Sequence, residues 1–172
     1  MALSTRSIVI TGMLGAIAIV LGATGIGFIP VPTPVCKATI LHIPAILAGV
    51  IEGPVVGALV GLIFGMYSFL SASSPLAADP VVAILPRILI GIVSYYVYYL
   101  FRQRPVVGAG LAAVAGTMTN TIGFLGLGVL QGYIKWAVVW MIIATHSIFE
   151  VIVAVAIVVA LTKALQRYLG QV

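Results

Sequence analysis

The sequence predicts an all-α membrane protein with six transmembrane helices, a short second helix and both termini in the cytoplasm. Of its 172 residues, 63% are hydrophobic and 6% are charged, and the mean hydropathy is +1.31. Typical soluble domains are about 25% charged. The apolar residues form six runs, and most of them approach the roughly 20 residues that cross a bilayer. We therefore expect one domain, residues 1–172, embedded in the lipid bilayer.

The first predicted span, residues 7–27, carries small residues at helical spacing. They form the pairs Thr11-x-x-x-Gly15 and Gly12-x-x-x-Ala16. Side chains this small allow a second helix to lie close to the first one. The sequence therefore predicts a helix-docking surface on this span.

The second and third spans form the most irregular part of the chain. A loop with three prolines, residues 28–34, precedes a short apolar run at 39–51, which the tripeptide EGP ends. The third span, 54–70, follows at once and carries a stripe of glycines that we expect to pack within the protein. Irregular backbone at membrane depth is tolerated only where protein or a water-filled cavity surrounds it. This stretch therefore predicts a polar pocket near one face.

The remaining predicted spans are residues 81–101, 106–130 and 136–164. Pro80 and Pro105 precede two of them, and proline is favoured at a helix start because its missing N–H would have no partner there.

Basic residues favour cytoplasmic termini, because loops on the cytoplasmic side carry an excess of Lys and Arg. The basic residues on the side of the termini are Arg6, Arg102, Arg104, Lys163 and Arg167. Those on the other side are Lys37 and Lys135. We therefore predict a multi-pass protein of the cytoplasmic membrane whose loops at 28–38, 71–80 and 131–135 face outward.

Motifs for catalysis are absent from the sequence. It contains no GxxxxGK[ST] phosphate loop, no HExxH, no Cys/His cluster and no GxSxG elbow. We expect no enzyme activity, no cofactor, no metal and no nucleic-acid partner, since the basic residues are dispersed at span ends. His146, Ser147 and Glu150 leave an intramembrane hydrolase open, although neighbours on one helix make a poor triad.

Polar residues within the later spans predict a ligand site, because charges in the membrane are costly and usually functional. Arg87 lies in the fourth span, Asn120 and Thr121 in the fifth, and His146 and Glu150 one turn apart in the sixth. If the spans converge, these groups line a pocket. The alternative is an internal ion pair between Arg87 and Glu150, with Asn120 joining two helices.

The first outer loop and the third span add four candidates to this site. Lys37, Thr39 and His42 lie where that loop meets the second span. For Lys37 the alternative is a solvated loop charge. Tyr67, near the outer end of the third span, is a candidate for stacking on a ligand.

Four segments together resemble the substrate-binding S-component of energy-coupling factor (ECF) vitamin transporters. They are the small-residue first span, HIPAILAGVIEGPVVGALVGLIFG at 42–65, GTMTNTIGFLGLG at 116–128 and IFEVIVAVAIVVALTKAL at 148–165. The Gly-Pro turn and glycine-rich third span look most like the pantothenate and riboflavin branch. The TNT segment followed by a Glu-containing sixth span is most similar to the pantothenate S-components.

The resemblance implies one vitamin bound near the outer face, under a closing loop that corresponds to residues 28–38. It implies ligand contacts from Arg87, Asn120 and His146. It also implies docking of the first helix on a transmembrane coupling subunit that works with two ATPase subunits. The family's Ala-x-x-x-Ala docking motif is matched here by Gly12-x-x-x-Ala16.

Charge counts favour a ligand with a carboxylate. Four candidate cations, Lys37, His42, Arg87 and His146, outnumber Glu150 and Asp79 on the outer side. Pantothenate fits such a pocket, and folate would fit it as well. Riboflavin is uncharged and asks for more aromatic stacking. An autonomous proton-coupled transporter that uses His146 and Glu150 as a relay stays open at this point.

Overall fold

The computed structural model describes residues 3–30, 37–72 and 74–168. Five helices come first: α1 (Thr5–Ala23), α2 (Ile43–Glu52), α3 (Pro54–Leu70), α4 (Pro80–Leu100) and α5 (Pro105–Leu130). The last helical segment is continuous and consists of α6 (Trp136–Ile142), a π-helical turn (Ile143–Ser147) and α7 (Ile148–Tyr168). The predicted all-α fold is confirmed. Within these residues, four segments are long and apolar enough to span a membrane, and α2 and α3 are shorter apolar helices. Six spans and cytoplasmic termini stay predictions.

The first loop corrects the sequence prediction, because part of it is a β-hairpin. Strand β1 (Phe28–Pro30) pairs antiparallel with β2 (Lys37–Thr39). Accordingly α1 ends earlier than predicted and α2 begins later. Gly25 has φ +76°, the left-handed conformation that ends many helices just past the cap. Residues 31–36, the rest of the predicted loop, lie outside the described part of the chain.

Helices α2, α3 and α4 cross at three glycines, which we call the glycine crossing: Gly49, Gly57 and Gly91. A carbon added at Gly57 would lie 2.8 Å from the Cα atoms of both other glycines. A carbon added at Gly65, two turns further along α3, would lie 2.9 Å from the Cα of Ile84. Such distances are well inside the optimal carbon–carbon separation of about 3.5–4.0 Å. The glycine stripe of the third span therefore packs within the protein, as predicted.

Helix α1 lies at the edge of the bundle, and the predicted docking residues divide between its two faces. Gly15 is buried against α3, where an added carbon would meet the Ile63 side chain at 2.6 Å. Gly12 and Ala16 are exposed, and Thr11 is half-buried. Gly15 thus belongs to the internal interface, while the pair Gly12 and Ala16 faces outward.

The chain reverses at each loop, so α1, α3 and α5 end where α2, α4 and α6 begin. We call this the site end. At the opposite end, Arg6 Nε lies 2.8 Å from Glu52 Oε1 and so joins the start of α1 to the end of α2.

Candidate functional site

Two adjoining cavities open at the site end, of about 470 and 460 Å³. Both volumes lie in the range of small-molecule pockets, about 300–1,000 Å³. The first, which we call the serine lobe, includes Phe64, Tyr67, Ser68 and Ser71 in its lining. The second, the glutamate lobe, includes Thr121, Phe124, Leu125, Ile142, His146 and Glu150. Phe28, Thr39, Arg87 and Asn120 line both lobes and therefore mark their boundary.

Arg87 is held at this boundary by a proline that precedes it. Pro86 lies inside α4 and has no N–H, so the carbonyl of Val82, four residues earlier, loses its helical partner. The Arg87 Nη1 donates to that carbonyl oxygen at 2.8 Å. The sequence Leu-Pro-Arg thus leaves a backbone carbonyl without its helical donor and supplies the guanidinium that donates to it instead.

The guanidinium of Arg87 lies between two aromatic rings and keeps unused hydrogen-bonding capacity. Its central carbon is 4.2 Å from the Phe124 ring centre and 5.6 Å from that of Phe64. The side chain is 6% exposed, and its Nε has no hydrogen-bond partner among the described residues. Asn120 is equally buried, and its Oδ1 also lacks one. Buried polar groups are normally paired, and these two atoms line the lobes, where a ligand can reach them.

Glu150 is held by donors from three elements. Its Oε1 accepts from the backbone N–H of Thr39 in β2 at 2.8 Å and lies 3.4 Å from His146 Nε2. Its Oε2 accepts from the Thr121 hydroxyl at 3.4 Å. Glu150 therefore fastens the hairpin to α5 and α7. No ion pair joins Arg87 to Glu150 in the described part of the chain, so that alternative is not what the structure shows.

The π-helical turn shapes the same wall of the glutamate lobe. It spans Ile143–Ser147 and ends just before α7, so His146 lies within it and Glu150 just beyond it. Such turns insert one residue into an α-helix and occur often at functional sites. His146 and Glu150 still share one face, as their predicted spacing requires.

The structure brings together most residues of the predicted site. The lobes are lined by Thr39, Tyr67, Arg87, Asn120, Thr121, His146 and Glu150. His42 is not among the lining residues: it is fully buried, and its Nε2 lies 2.9 Å from the Thr117 hydroxyl of α5. The side chain of Lys37 lies outside the described residues, although its backbone belongs to β2.

Several lining residues do not follow from the sequence alone, among them Phe28, Phe64, Ser68 and Phe124. The phenylalanines give no signal in a chain of mostly apolar residues. Ser68 follows Tyr67 directly and precedes Ser71 by one turn, so a cluster of hydroxyl groups at the outer end of α3 was the available signal.

Comparison with known proteins assigns this architecture. Residues 6–162 match the family described as "ECF transporter, substrate-specific component". The chain belongs to this family. A protein from Lactococcus lactis subsp. cremoris (strain MG1363), named "Pantothenic acid transporter PanT", is 41% identical to this chain, and the match covers 77% of this chain and 81% of that protein.

A solved structure supports the same assignment for the S-component fold. The work titled "Structure and mechanism of the S component of a bacterial ECF transporter" describes a chain that is 25% identical to this one, with a TM-score of 0.66. The match covers 95% of this chain and 97% of that one. The family, the fold and the multi-pass membrane location predicted from the sequence are thereby confirmed.

Proposed function

We propose that this S-component binds pantothenate in the two lobes at the site end. The observation that carries the proposal is Arg87, a buried guanidinium with an unpaired Nε and no carboxylate partner among the described residues. A buried cation is costly unless it is paired. A ligand carboxylate supplies a partner that guanidinium groups bind strongly. The name of the Lactococcus relative supports pantothenate among the carboxylate-bearing vitamins.

The lobes offer a partner for each part of pantothenate. The molecule has a carboxylate at one end, an amide in the middle, and hydroxyl groups beside a dimethyl-substituted carbon at the other end. Arg87 suits the carboxylate and Asn120 Oδ1 suits the amide N–H. Phe124 and Leu125 provide apolar contact for the methyl groups. Riboflavin fits less well, because the Phe124 ring already lies against Arg87.

The partners belong to this proposal as well. The chain has no phosphate-binding loop, so we propose that two ATPase subunits hydrolyse ATP and that the chain itself binds the vitamin without catalysing a reaction. The exposed pair Gly12 and Ala16 on α1 is the proposed contact for the transmembrane coupling subunit, since small residues allow close helix approach. The single domain then serves as the binding subunit.

Calorimetry on the purified chain tests the substrate. We expect one pantothenate per chain, bound without ATP or partner subunits. Arg87→Gln should weaken binding about 10- to 150-fold, because a hydrogen bond to a charged group contributes about 1.5–3 kcal/mol. Arg102→Gln is the matched control, because Arg102 is exposed and lies outside both lobes.

Two results would contradict the proposal. One is tight binding of riboflavin or folate by a chain that does not bind pantothenate. The other is equal pantothenate affinity of Arg87→Gln and Arg102→Gln, which would show that Arg87 does not bind the ligand carboxylate.

A further inference from the structure

We infer that the two lobes recognise opposite ends of the ligand. The carboxylate lies on the side of the serine lobe, and the hydroxyl-bearing end enters the glutamate lobe, where Glu150 selects it. This inference rests on the proposed function and adds an orientation and a specificity-determining residue to it. The charges and the unused hydrogen-bonding sites of the two lobes carry the argument.

The acceptor oxygens of Glu150 disfavour a ligand carboxylate in the glutamate lobe. Glu150 Oε1 accepts from the Thr39 N–H, and Oε2 accepts from the Thr121 hydroxyl. A ligand carboxylate beside them would set two acceptor groups against each other, because an ionised carboxylate has no hydrogen to donate. A ligand hydroxyl at the same place would donate to Glu150 instead.

Glu150 has capacity for such a donor. A carboxylate provides about four acceptor sites on its two oxygens. Thr39, Thr121 and His146 account for three contacts, two at Oε1 and one at Oε2. Among the described residues, one site at Oε2 therefore stays available in a side chain that is 4% exposed and lines the lobe.

The serine lobe has the complementary chemistry. Tyr67, Ser68 and Ser71, which carry hydroxyl groups, line it together with Arg87, and its described lining contains no acidic residue. Each hydroxyl can donate to a carboxylate oxygen while Arg87 supplies the charge. Asn120, on the boundary, faces the middle of the ligand with its unpaired Oδ1. The order carboxylate, amide, hydroxyl thus runs from one lobe to the other.

Three ligands and two variants test this orientation. The ligands are pantothenate, pantothenol, in which an alcohol replaces the carboxylate, and an analogue that lacks the terminal hydroxyl of the other end. The variants are the double substitution Ser68→Ala with Ser71→Ala, and Glu150→Gln. The glutamine keeps an acceptor oxygen for the Thr39 N–H, and thermal unfolding of each purified variant checks that it is folded.

We expect the serine-lobe variant to reduce the preference for pantothenate over pantothenol about 2- to 12-fold. It should leave the preference for the terminal hydroxyl unchanged. Glu150→Gln should reduce the preference for the terminal hydroxyl by a similar factor and leave the preference over pantothenol unchanged. If each variant loses one preference and keeps the other, each lobe binds one end of the ligand.

The reversed pattern would overturn the inference. If Glu150→Gln raises the affinity for pantothenate relative to pantothenol, the carboxylate lies in the glutamate lobe. If the serine-lobe variant keeps the same preference for pantothenate over pantothenol, the carboxylate does not lie in that lobe. Failure of the original chain to bind pantothenate is a separate result, and it would contradict the proposed function itself.

Discussion

The glycine crossing and the site end use opposite means of holding helices together. At the crossing, the backbones of α2, α3 and α4 touch, and no side chain separates Gly57 from Gly49 and Gly91. At the site end, polar side chains bridge wider gaps, and Arg87 and Asn120 keep atoms without partners. Apolar burial gives little drive between helices in lipid, so close packing and hydrogen bonds must supply the association. The close backbone contact at the glycine crossing forms the frame, and the site end, where polar atoms lack partners, binds the ligand.

Helix α4 connects the two regions. A carbon added at Gly61 of α3 would lie 2.8 Å from the carbonyl carbon of Arg87, and one added at Gly65 would lie 3.4 Å from the Arg87 Cβ. The backbone of the site arginine is therefore fixed by the same glycine stripe that continues from Gly57. Packing at the stripe determines where the guanidinium can point.

The largest effect is expected from one methyl group at the crossing. Gly57→Ala places a carbon against backbone atoms on two sides, and neither neighbour can move away by rotating a side chain. We expect a loss of about 3 kcal/mol in the free energy of unfolding, the upper part of the usual range for overpacking. Thermal unfolding in detergent measures it.

Gly126→Ala is the matched control, since nothing lies within 4 Å of a carbon added there. In a helix interior this change gains up to about 1 kcal/mol. Equal stabilities of the two variants would show that the crossing has more freedom than its distances suggest.

Much of the fold can be predicted from the sequence, because prolines and glycines, which restrict or release the backbone, mark the ends of several helices. The bounds of α3 agree with the prediction at both ends, and Pro80 and Pro105 begin α4 and α5. The β-hairpin does not follow, because pairing of Phe28–Pro30 with Lys37–Thr39 depends on two short segments meeting across a turn. Neither segment shows a strand pattern long enough to detect.

The site follows in part for a similar reason. Charged groups such as Arg87 and Glu150 stand out in an apolar chain, so their presence in a pocket is predictable. Their partners are not, because helix tilt and the π-helical turn decide which atoms meet. The sequence could not show that Arg87 contacts Val82 rather than Glu150, or that His42 reaches Thr117 rather than the lobes.

A smaller effect is expected where a polar contact lies in the frame rather than in the site. Thr117→Val removes the hydroxyl beside His42 and leaves a fully buried imidazole without that partner. We expect a loss of about 2 kcal/mol in stability, within the cost of an unsatisfied buried polar group. Vitamin affinity measured by calorimetry should hardly change, because neither residue lines a lobe.

Thr119→Val serves as the control, because the Thr119 hydroxyl donates to the Ala115 carbonyl one turn earlier in the same helix, α5. A Thr117 variant that is as stable as this control would rule out a structural role for the His42 contact. A folded Thr117 variant with much weaker vitamin binding would instead move His42 into the site.

The smallest effect is expected at the end opposite the site, where an ion pair replaces backbone contact. Arg6 and Glu52 are 2.8 Å apart, but the Arg6 side chain is 66% exposed, so water and salt screen the pair. A double-mutant cycle with Arg6→Ala and Glu52→Gln should give a coupling energy of about 0–1 kcal/mol that falls as salt is added. A coupling above about 2 kcal/mol would mean that this pair holds α1 as firmly as the glycine contacts do. A small, salt-sensitive value would leave α1 attached mainly by its buried face at Gly15.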